Sequence, residues 1–266
     1  MNCIEEIARW QLLRRELLSA STIGLVPTMG SLHQGHATLI ERARRENEVV
    51  VVSVFVNPTQ FNDLQDYQQY PKTVEADVQF ASRLGVDYVL APSAEEMYLH
   101  GNIFTINTRH AIAELFEGKQ RPGHFAGMLT VVMKLLQLVR PTKVYFGEKD
   151  FQQSALVGAM AEDFFLDVDV VVCPIVREGS GLPLSSRNAR LSASQRALAE
   201  RAATVLGQVT PNTIDVVRQQ LDELGVKVEY LDCYKGRIFC ALRIGEIRLI
   251  DNFVPRVESN ACHVIL

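Results

Sequence analysis

Two histidines, His33 and His36, stand three residues apart in a segment that also contains Gly30 and Gly35. The apolar run at residues 23–27 predicts a strand before them, and the residues that follow predict a helix. Glycine lets the backbone approach a ligand closely, and the start of a helix presents free N–H groups at the positive end of its dipole. Two imidazoles at that end would add side-chain donors to the same anion. The segment is therefore predicted to bind phosphate groups.

Two other interpretations of this histidine pair remain open. The pair could lie in an ordinary tight turn with both rings at the surface. It could also bind a metal ion, but both rings share one helix face only if both residues are helical. No carboxylate or thiol lies nearby in the sequence to complete a ligand set. Because the strand, the glycines and the helix start are in register, we favour phosphate binding.

Amide and charged side chains follow two other predicted strands. Asn57 and Gln60 come after the most hydrophobic strand, and their amides both donate and accept hydrogen bonds, which suits hydroxyl and carboxylate groups. Lys149 can neutralise phosphate charge, while Asp150 can cap the next helix, hold a ribose hydroxyl or bind a metal-bound water. Gln153 lies about one helical turn further on. Taken alone, each group also fits an ordinary turn or a solvated loop.

A fourth polar segment, residues 176–188, contains Ser185, Ser186 and Arg187 next to Leu184. Two hydroxyls and a guanidinium suit phosphate oxygens, and a segment between two domains can act as a lid. The alternative is a polar linker that binds nothing. The joint placement of the polar segments at strand ends, on one side of the predicted sheet, favours a ligand site.

Strands and helices alternate over the first 175 residues, and these elements must position the polar segments. The first helix is expected to begin after Asn2, with Glu5 at the capping-box position. The valine-rich strand is apolar on both faces, which is typical of a parallel strand covered by helices on both sides. The predicted strands are residues 23–27, 49–56, 86–91, 143–146 and 168–173, and the later helices are residues 36–45, 73–84, 124–139 and 150–163.

Such alternation predicts an α/β fold with a Rossmann-like, doubly wound parallel sheet over residues 1–175. Ligands in these sheets bind beyond the carboxyl ends of the strands, where the strand order reverses. After Pro174 the pattern changes to helices followed by antiparallel strands, so we expect a smaller C-terminal α+β domain over residues 176–266. Its expected helices are residues 192–206 and 212–224, its strands are residues 227–234, 238–244 and 246–250, and the tail from residue 254 has weak periodicity.

Composition narrows the class of protein. Hydrophobic residues make up 47% and charged residues 22% of the chain, which excludes a disordered or fibrous protein. The 27 basic and 31 acidic residues give a net charge of −4, so no nucleic-acid partner is expected. The 5 cysteines are scattered without a Cys-x-x-Cys pair, and no signal peptide or membrane-spanning run is seen. We expect a cytoplasmic protein with reduced thiols and no membrane partner.

Several segments, in order and spacing, resemble the pantothenate synthetase family, which lies in the nucleotidylyltransferase superfamily. The His-x-Gly-His signature by itself is shared with that wider superfamily. The residues that carry the resemblance are 27–36, 57–61, 125–134, 147–153 and 184–188, together with the Leu-Ile-Asp-Asn stretch at residues 249–252.

The resemblance implies an ATP-dependent ligase that joins (R)-pantoate to β-alanine and releases AMP and pyrophosphate. The carboxylate of pantoate would attack the α-phosphorus of ATP, and the amine of β-alanine would then attack the resulting pantoyl adenylate. Mg²⁺ would bridge the ATP phosphates without direct protein ligands, with Asp77 as a possible helper. The resemblance also implies a homodimer formed through the larger domain.

Site residues carry over position by position. The implied catalytic residues are His36, His33, Lys149 and Arg187, and His36 is the position that the family usually names as the proton donor. The implied substrate-binding residues are Gln60, Gln153, Asn57 and Met29, with Gln60 also near β-alanine. The implied ATP-binding residues are Met29, Gly30, Ser31, Leu32, His33, Gln34, Gly35, His36, Gly147, Glu148, Lys149, Asp150, Val176, Leu184, Ser185, Ser186 and Arg187.

Three residues depart from the usual family pattern. Ser31 replaces Ala, Leu184 replaces Met and Ser180 replaces Asp. Leu for Met is a modest apolar change, so only a small effect on ATP affinity is expected. Two other functions remain open: a nucleotidylyltransferase that acts on a phosphorylated acceptor, and a nucleotide sensor without catalysis. The neutral amides of Gln60 and Gln153 favour a hydroxy acid, because a phosphorylated acceptor would call for clustered Lys or Arg.

Overall fold

A computed structural model of the chain describes residues 1–17 and 22–255. The chain divides into two compact units, Met1–Ile175 and Val176–Leu266. The strands of the first unit are β1 (Asn2–Ile4), β2 (Ile23–Thr28), β3 (Val49–Val54), β4 (Tyr88–Leu90), β5 (Lys143–Gly147) and β6 (Asp169–Cys173). Its helices are α1 (Ile7–Glu16), α2 (Gln34–Glu46), α3 (Leu64–Gln68), α4 (Val74–Arg83), α5 (Ala94–Met97), α6 (Glu117–Gln120), α7 (His124–Val139) and α8 (Phe151–Asp163).

The first unit contains a parallel sheet with the strand order β1-β4-β3-β2-β5-β6. From β2, the next strands run outward through β3 and β4 on one side and through β5 and β6 on the other. The order therefore reverses at the β2–β5 pair, which aligns Gly24 with Lys143. Along the other side of β2, Thr28 is paired with Val54, so β2 and β3 end together. This confirms the predicted doubly wound sheet, and the predicted site would lie after β2 and β5, since ligands of such sheets bind where the strand order reverses.

Helices cover both faces of the central strands. Val50 and Val52 of β3 belong to one buried cluster with Leu39 and Ile40 of α2. Side chains alternate along a strand, so Val51, which is also fully buried, points to the opposite face. The predicted two-sided burial of the valine-rich strand is therefore confirmed.

The predicted start of the first helix is wrong. Residues 2–4 form β1, which pairs in parallel with β4 so that Asn2 is aligned with Tyr88. Helix α1 begins only at Ile7, whose backbone N–H donates to Glu96 Oε2 at 2.9 Å. The helix start is thus satisfied by a distant carboxylate rather than by Asn2 and Glu5. A capping pattern is a local signal, and here a strand partner from elsewhere in the chain overrides it.

The second unit joins helices α9 (Ala193–Leu206) and α10 (Ile214–Glu223) to an antiparallel sheet. The sheet consists of β7 (Lys227–Tyr234), β8 (Arg237–Ile244) and β9 (Ile247–Phe253) in that order. This confirms the expected α+β class. Strand β9 is longer than predicted because its pairing with β8 continues until Phe253 lies opposite Ile238.

The described residues contain no helix that combines the length and the apolar character needed to cross a membrane. Cys3, Cys173, Cys233 and Cys240 are free thiols. Cys262, and the weakly periodic tail from residue 256 onward, lie outside the described residues.

Candidate active site

A buried carboxylate fixes the loop that follows β2. Gly30 and Ser31 both have positive φ values, of 81° and 52°. Asp77 of α4 is only 2% exposed, and its Oδ2 and Oδ1 accept the backbone N–H groups of Ser31 at 2.9 Å and Leu32 at 2.7 Å. Oδ2 also accepts from Thr73 Oγ1 at 3.0 Å. Both oxygens of Asp77 are thus bonded to protein, so this residue positions the loop.

Glycine is required at position 30 of this loop. A Cβ atom on Gly30 would lie 2.9 Å from Asp77 Oδ2 and 3.0 Å from a methyl carbon of Val54. The positive φ adds strain for any other residue. The close packing against Asp77 and Val54 explains the glycine at this position, and the approach of a ligand to the loop backbone stays a prediction.

The two histidines form a reciprocal cap at the start of α2. His33 Nδ1 accepts the backbone N–H of Gly35 at 3.1 Å, and His36 Nδ1 accepts the backbone N–H of His33 at 3.2 Å. Their ring centroids are 4.1 Å apart. Since a backbone N–H can only donate, neither Nδ1 atom carries a proton. Each neutral ring therefore carries its proton on Nε2 and offers that N–H as a donor.

The electrostatics of the site keep both rings neutral. Burial, followed by the nearby Lys149, lowers the pKa of His33 to about 4, with Asp150 acting in the opposite direction. Burial, followed by His33 and Lys149, lowers the pKa of His36 to about 3. Lys149, which follows β5, thus lies within electrostatic range of both neutral rings that follow β2.

The metal-binding interpretation of the histidine pair gains no support. Within the described ranges, no group of three or more His, Cys, Asp or Glu side chains could hold a metal ion. The Nδ1 atoms of His33 and His36 already accept backbone N–H groups.

The segment after β5 is a short 3₁₀ turn, Glu148–Asp150, that leads into α8. Lys149 Nζ lies 3.8 Å from Asp150 Oδ1, and the side chain of Asp150 is 50% exposed. Asp150 precedes α8, yet its side chain makes no capping hydrogen bond. The predicted capping role is therefore not observed, and the carboxylate lies at the surface.

Two adjacent glutamines in α8 have different environments. Gln152 is buried; its Oε1 accepts the backbone N–H of Glu117 at 3.0 Å, and its Nε2 donates to the carbonyls of Ile112 and Leu115. Gln153 is half-buried, and its side chain makes no hydrogen bond to another described residue. Gln153 therefore has the amide that remains available to a substrate.

The amide of Asn57 is fully used inside the protein. Its Oδ1 accepts from the Thr59 backbone N–H at 3.3 Å and from the Tyr98 hydroxyl at 2.7 Å. Its Nδ2 donates to Gln60 Oε1 at 3.0 Å and to the carbonyl of Gly127 at 3.2 Å. Asn57 is 1% exposed and orients Gln60 through these bonds, and its predicted contact with a substrate stays a prediction.

The orientation of the Gln60 amide is determined by its hydrogen bonds, which make Oε1 the acceptor and the NH₂ group the donor. The Thr59 N–H fixes the Oδ1 of Asn57, and the Nδ2 of Asn57 then fixes Gln60 Oε1 as an acceptor. Gln60 Nε2 donates to Met29 Sδ at 3.1 Å, a weak acceptor in the loop after β2. Met29 and Gln60, both predicted substrate-binding residues, thus lie in contact.

The remaining predicted ATP-binding residues lie in the second unit. The backbone N–H of Leu184 donates to the carbonyl of Val176 at 3.0 Å, which places these two residues side by side. Ser185 caps the 3₁₀ turn Ser186–Arg190, and its hydroxyl accepts the backbone N–H of Arg187 at 3.3 Å.

The start of the polar segment 176–188 is held by an ion pair that the sequence analysis did not predict. Arg177 makes two hydrogen bonds to Asp251 of β9, at 2.6 and 2.8 Å, and one to the carbonyl of Gly181 at 3.0 Å. Asp251 stands in the Leu-Ile-Asp-Asn stretch that contributes to the family resemblance. That stretch was the available signal, but no local pattern links it to residue 177.

His124 was also missed as a site residue. The sequence predicts it only as the first residue of an apolar helix. In the structure its Nδ1 lies 2.8 Å from the backbone carbonyl of Gln60, next to Arg121. A histidine at the start of an otherwise apolar helix, three residues after an arginine, is the only signal that sequence offers.

Known proteins are similar to this chain in sequence and in fold over nearly its whole length. The family model for pantoate-beta-alanine ligase matches residues 2–254. A pantothenate synthetase from Francisella tularensis subsp. tularensis (strain WY96-3418) is 44% identical over 250 residues, covering 94% of this chain and 96% of that protein.

Solved structures agree with this match. A pantoate-beta-alanine ligase from Francisella tularensis, complexed with beta-gamma ATP and beta-alanine, has a TM-score of 0.93 and 44% identity, covering 96% of this chain and 97% of that chain. Pantothenate synthetase from Thermus thermophilus has a TM-score of 0.85 and 39% identity, covering 96% and 99% of the two chains. The chain therefore belongs to the pantoate-beta-alanine ligase family.

Proposed function

We propose that this chain condenses (R)-pantoate with β-alanine, using ATP and releasing AMP and pyrophosphate through an enzyme-bound pantoyl adenylate. One observation supports this chemistry above the others. His33 and His36 present neutral Nε2–H donors beside the ammonium of Lys149, at the edge where the strand order reverses. The relative solved with beta-gamma ATP and beta-alanine binds two of the proposed ligands or their analogue.

In the first step a carboxylate oxygen of pantoate attacks the α-phosphorus of ATP, and pyrophosphate leaves. Negative charge spreads over the phosphate oxygens in the transition state, so fixed donors and a cation stabilise it. We assign the Nε2–H groups of His33 and His36 and the ammonium of Lys149 to these oxygens. Because the His36 ring is neutral, its assigned role is a hydrogen-bond donor.

Pantoate is assigned to the two glutamines. Gln60 has its Oε1 bonded to Asn57, so its NH₂ group is the part that can meet a carboxylate or hydroxyl oxygen. Gln153, in helix α8, supplies a second amide. In the second step the amine of β-alanine attacks the activated carbonyl carbon near Gln60, and AMP leaves with the oxygen that pantoate contributed.

ATP recognition is assigned to four segments. The loop after β2 and the start of α2 supply Met29, Gly30, Ser31, Leu32, His33, Gln34, Gly35 and His36, and the turn after β5 supplies Gly147, Glu148, Lys149 and Asp150. We assign the exposed Asp150 carboxylate to the ribose. In the second unit, Val176 is assigned to adenine, and Leu184, Ser185, Ser186 and Arg187 to the phosphates.

Mg²⁺ is proposed to bind through the ATP phosphates. The described residues lack a cluster of acidic or histidine side chains for direct ligation, and Asp77 has both oxygens bonded to protein. When bound, the ion would offset phosphate charge. The residues of this chain would still supply the orientation of the carboxylate and the donors to the α-phosphate.

We also propose a homodimer in the cytoplasm. Phe164, Phe165 and Val172 of the first unit expose 54%, 93% and 42% of their surface, which suits burial against another copy. The free thiols of the described cysteines suit a reducing compartment.

The test is an isotope-transfer assay. The protein is mixed with ATP, Mg²⁺ and pantoate labelled with ¹⁸O in its carboxylate, and pyrophosphate is measured before and after adding β-alanine. We expect pyrophosphate in the first stage and, in the second, AMP that carries one labelled oxygen. ADP as product, or AMP without label, would refute the adenylate route.

The same assay distinguishes the proposed ligase from the two alternative functions. Equal pyrophosphate release with phosphopantetheine in place of pantoate would indicate a nucleotidylyltransferase. ATP binding without pyrophosphate release would indicate a nucleotide sensor. As a matched pair, Gln153→Ala should raise the KM for pantoate alone, while Gln152→Ala should lower stability because Gln152 is bonded inside the protein.

A further inference from the structure

The backbone carbonyl of Gln60 is held by two side chains from a distant part of the chain. His124 Nδ1 lies 2.8 Å from this oxygen, and Arg121 donates to it from a terminal nitrogen at 3.1 Å. Gln60 and His124 are 7% and 8% exposed. The carbonyl therefore has two protein donors in a nearly dry environment, where geometry is strongly fixed.

The direction of each hydrogen bond in this group is determined. A carbonyl can only accept, so His124 carries its proton on Nδ1. Its Nε2, 3.2 Å from Arg121, must then accept from the guanidinium. The same guanidinium donates to Glu117 Oε2 at 3.4 Å. Glu117, Arg121 and His124 thus form a row that ends on the Gln60 carbonyl. Burial, followed by Arg121, lowers the pKa of His124 to about 4, so the ring is neutral as this row requires.

The segment that carries Glu117 is held in a strained conformation. Phe116, the residue before it, has a φ of 46° and a ψ of −110°, which non-glycine residues rarely adopt. The backbone N–H of Glu117 donates to Gln152 Oε1 at 3.0 Å. A Cβ atom on Gly118 would lie 1.6 Å from the carbonyl of Ala113, so the backbone is tightly packed there. Strain that is maintained by such contacts points to a required position for Glu117.

We propose that His124 is a positioning residue for recognition of the carboxylate-bearing substrate, acting through Gln60. The row fixes the main chain of Gln60, while Asn57 fixes its side chain from the other end. Together they direct the Gln60 NH₂ group. The proposal rests on the proposed function, in which Gln60 binds pantoate.

Two neutral substitutions of similar size test whether His124 acts through its Nδ1–H donor or through the bulk of its ring. His124→Asn keeps an amide N–H near the position of Nδ1, so the bond to the Gln60 carbonyl is retained. His124→Gln places its amide near the position of Nε2, so that bond is lost. KM values for pantoate, ATP and β-alanine are measured by pyrophosphate and AMP release, alone and in a Gln60→Ala background, with thermal unfolding as the check on folding.

We expect His124→Gln to raise the KM for pantoate ~10-fold, the effect of about one lost hydrogen bond, with the KM for ATP within about twofold. His124→Asn should stay within about threefold of the original chain. In the Gln60→Ala background the difference in the KM for pantoate between the two variants should vanish, because the effects of substitutions at coupled residues are not additive. If His124→Gln does not fold, His124→Ala replaces it with the same expected results.

An unchanged KM for pantoate in folded His124→Gln would overturn the proposal. So would an equal increase in His124→Asn, or a difference that persists without Gln60. Failure of the proposed function is distinguishable, since the unsubstituted chain would then make no labelled AMP from pantoate and β-alanine.

Discussion

Replacing Gly127 of helix α7 with alanine should disturb the proposed pantoate site, because Gly127 packs against the turn that contains Gln60. Helix α7 packs against the 3₁₀ turn Pro58–Gln60 at Gly127. A Cβ atom on Gly127 would lie 2.3 Å from the Thr59 carbonyl oxygen and 2.9 Å from the Gln60 backbone nitrogen. Ordinary contacts begin at about 3.4 Å, so Gly127→Ala must displace the turn by about 1 Å.

The change in the free energy of unfolding that we expect for Gly127→Ala is the sum of opposing contributions. Alanine in a helix interior is favoured over glycine by ~0.5–1 kcal/mol. Overpacking costs ~1–3 kcal/mol, and distortion of the bond from Asn57 to the Gly127 carbonyl costs about 1 kcal/mol more. The free energy of unfolding should therefore fall by ~1–3 kcal/mol. A displacement of about 1 Å at Gln60 should also raise the KM for pantoate by at least ~10-fold, with ATP binding nearly unchanged.

Gly158 in α8 provides the matched control. No heavy atom lies within 4 Å of the Cβ that Gly158→Ala would add. That variant should gain ~0.5–1 kcal/mol in urea unfolding and keep its kinetic constants. The two substitutions are chemically identical, so opposite signs would isolate the contact with the turn. Equal stabilisation by both, with an unchanged KM for pantoate, would refute the packing argument.

Three further predictions concern the other site residues. His36→Ala should slow pyrophosphate release ~10²–10³-fold in single-turnover assays, and unchanged release would remove His36 from the mechanism. Asp77→Asn replaces one acceptor oxygen by an NH₂ group that faces the backbone N–H of either Ser31 or Leu32, so urea unfolding should show a loss of ~1–3 kcal/mol, and an unaltered midpoint would contradict its positioning role. His33, His36 and His124 have folded-state pKa values lowered to about 4, 3 and 4, so the unfolded chain binds more protons below about pH 6.5. The free energy of unfolding should therefore be flat above about pH 8 and fall by up to ~4 kcal/mol per pH unit between pH 6 and 5, and a flat profile between pH 6 and 5 would contradict three neutral rings.

The sequence predicts those elements whose signal is local and periodic. The valines of β3 are apolar on both faces, and β3 is a central parallel strand. Helix α7 spans His124–Val139, the bounds that its apolar face predicts. Because parallel strands end at one edge, placing polar segments after the strands was enough to predict that His36 and Lys149 lie close together.

The contacts that position the site could not be predicted in this way. Asp77 holds Ser31 from 46 residues away, and His124 holds Gln60 from 64 residues away. Such pairs leave no periodic pattern in the sequence, because in each pair one side chain bonds a backbone group that is distant in the chain. Asn57 shows the same limit: an amide after a strand suits a ligand, but whether its hydrogen bonds go to substrate or to protein depends in part on distant partners such as Tyr98 and Gly127.

The capping geometry also determines what the histidine pair can do with a proton. To act as an acid, His33 or His36 would have to carry protons on both ring nitrogens. Each Nδ1 accepts a backbone N–H, so protonating it would place two donors face to face and break the cap of α2. Bound phosphate raises the pKa of a nearby imidazole, but it does so against the loss of that hydrogen bond and against the charge of Lys149. The attacking carboxylate oxygen carries no proton, so adenylation does not require the two fixed Nε2–H groups to transfer one. We therefore infer that the pair stabilises charge on the phosphate oxygens and does not transfer a proton to them.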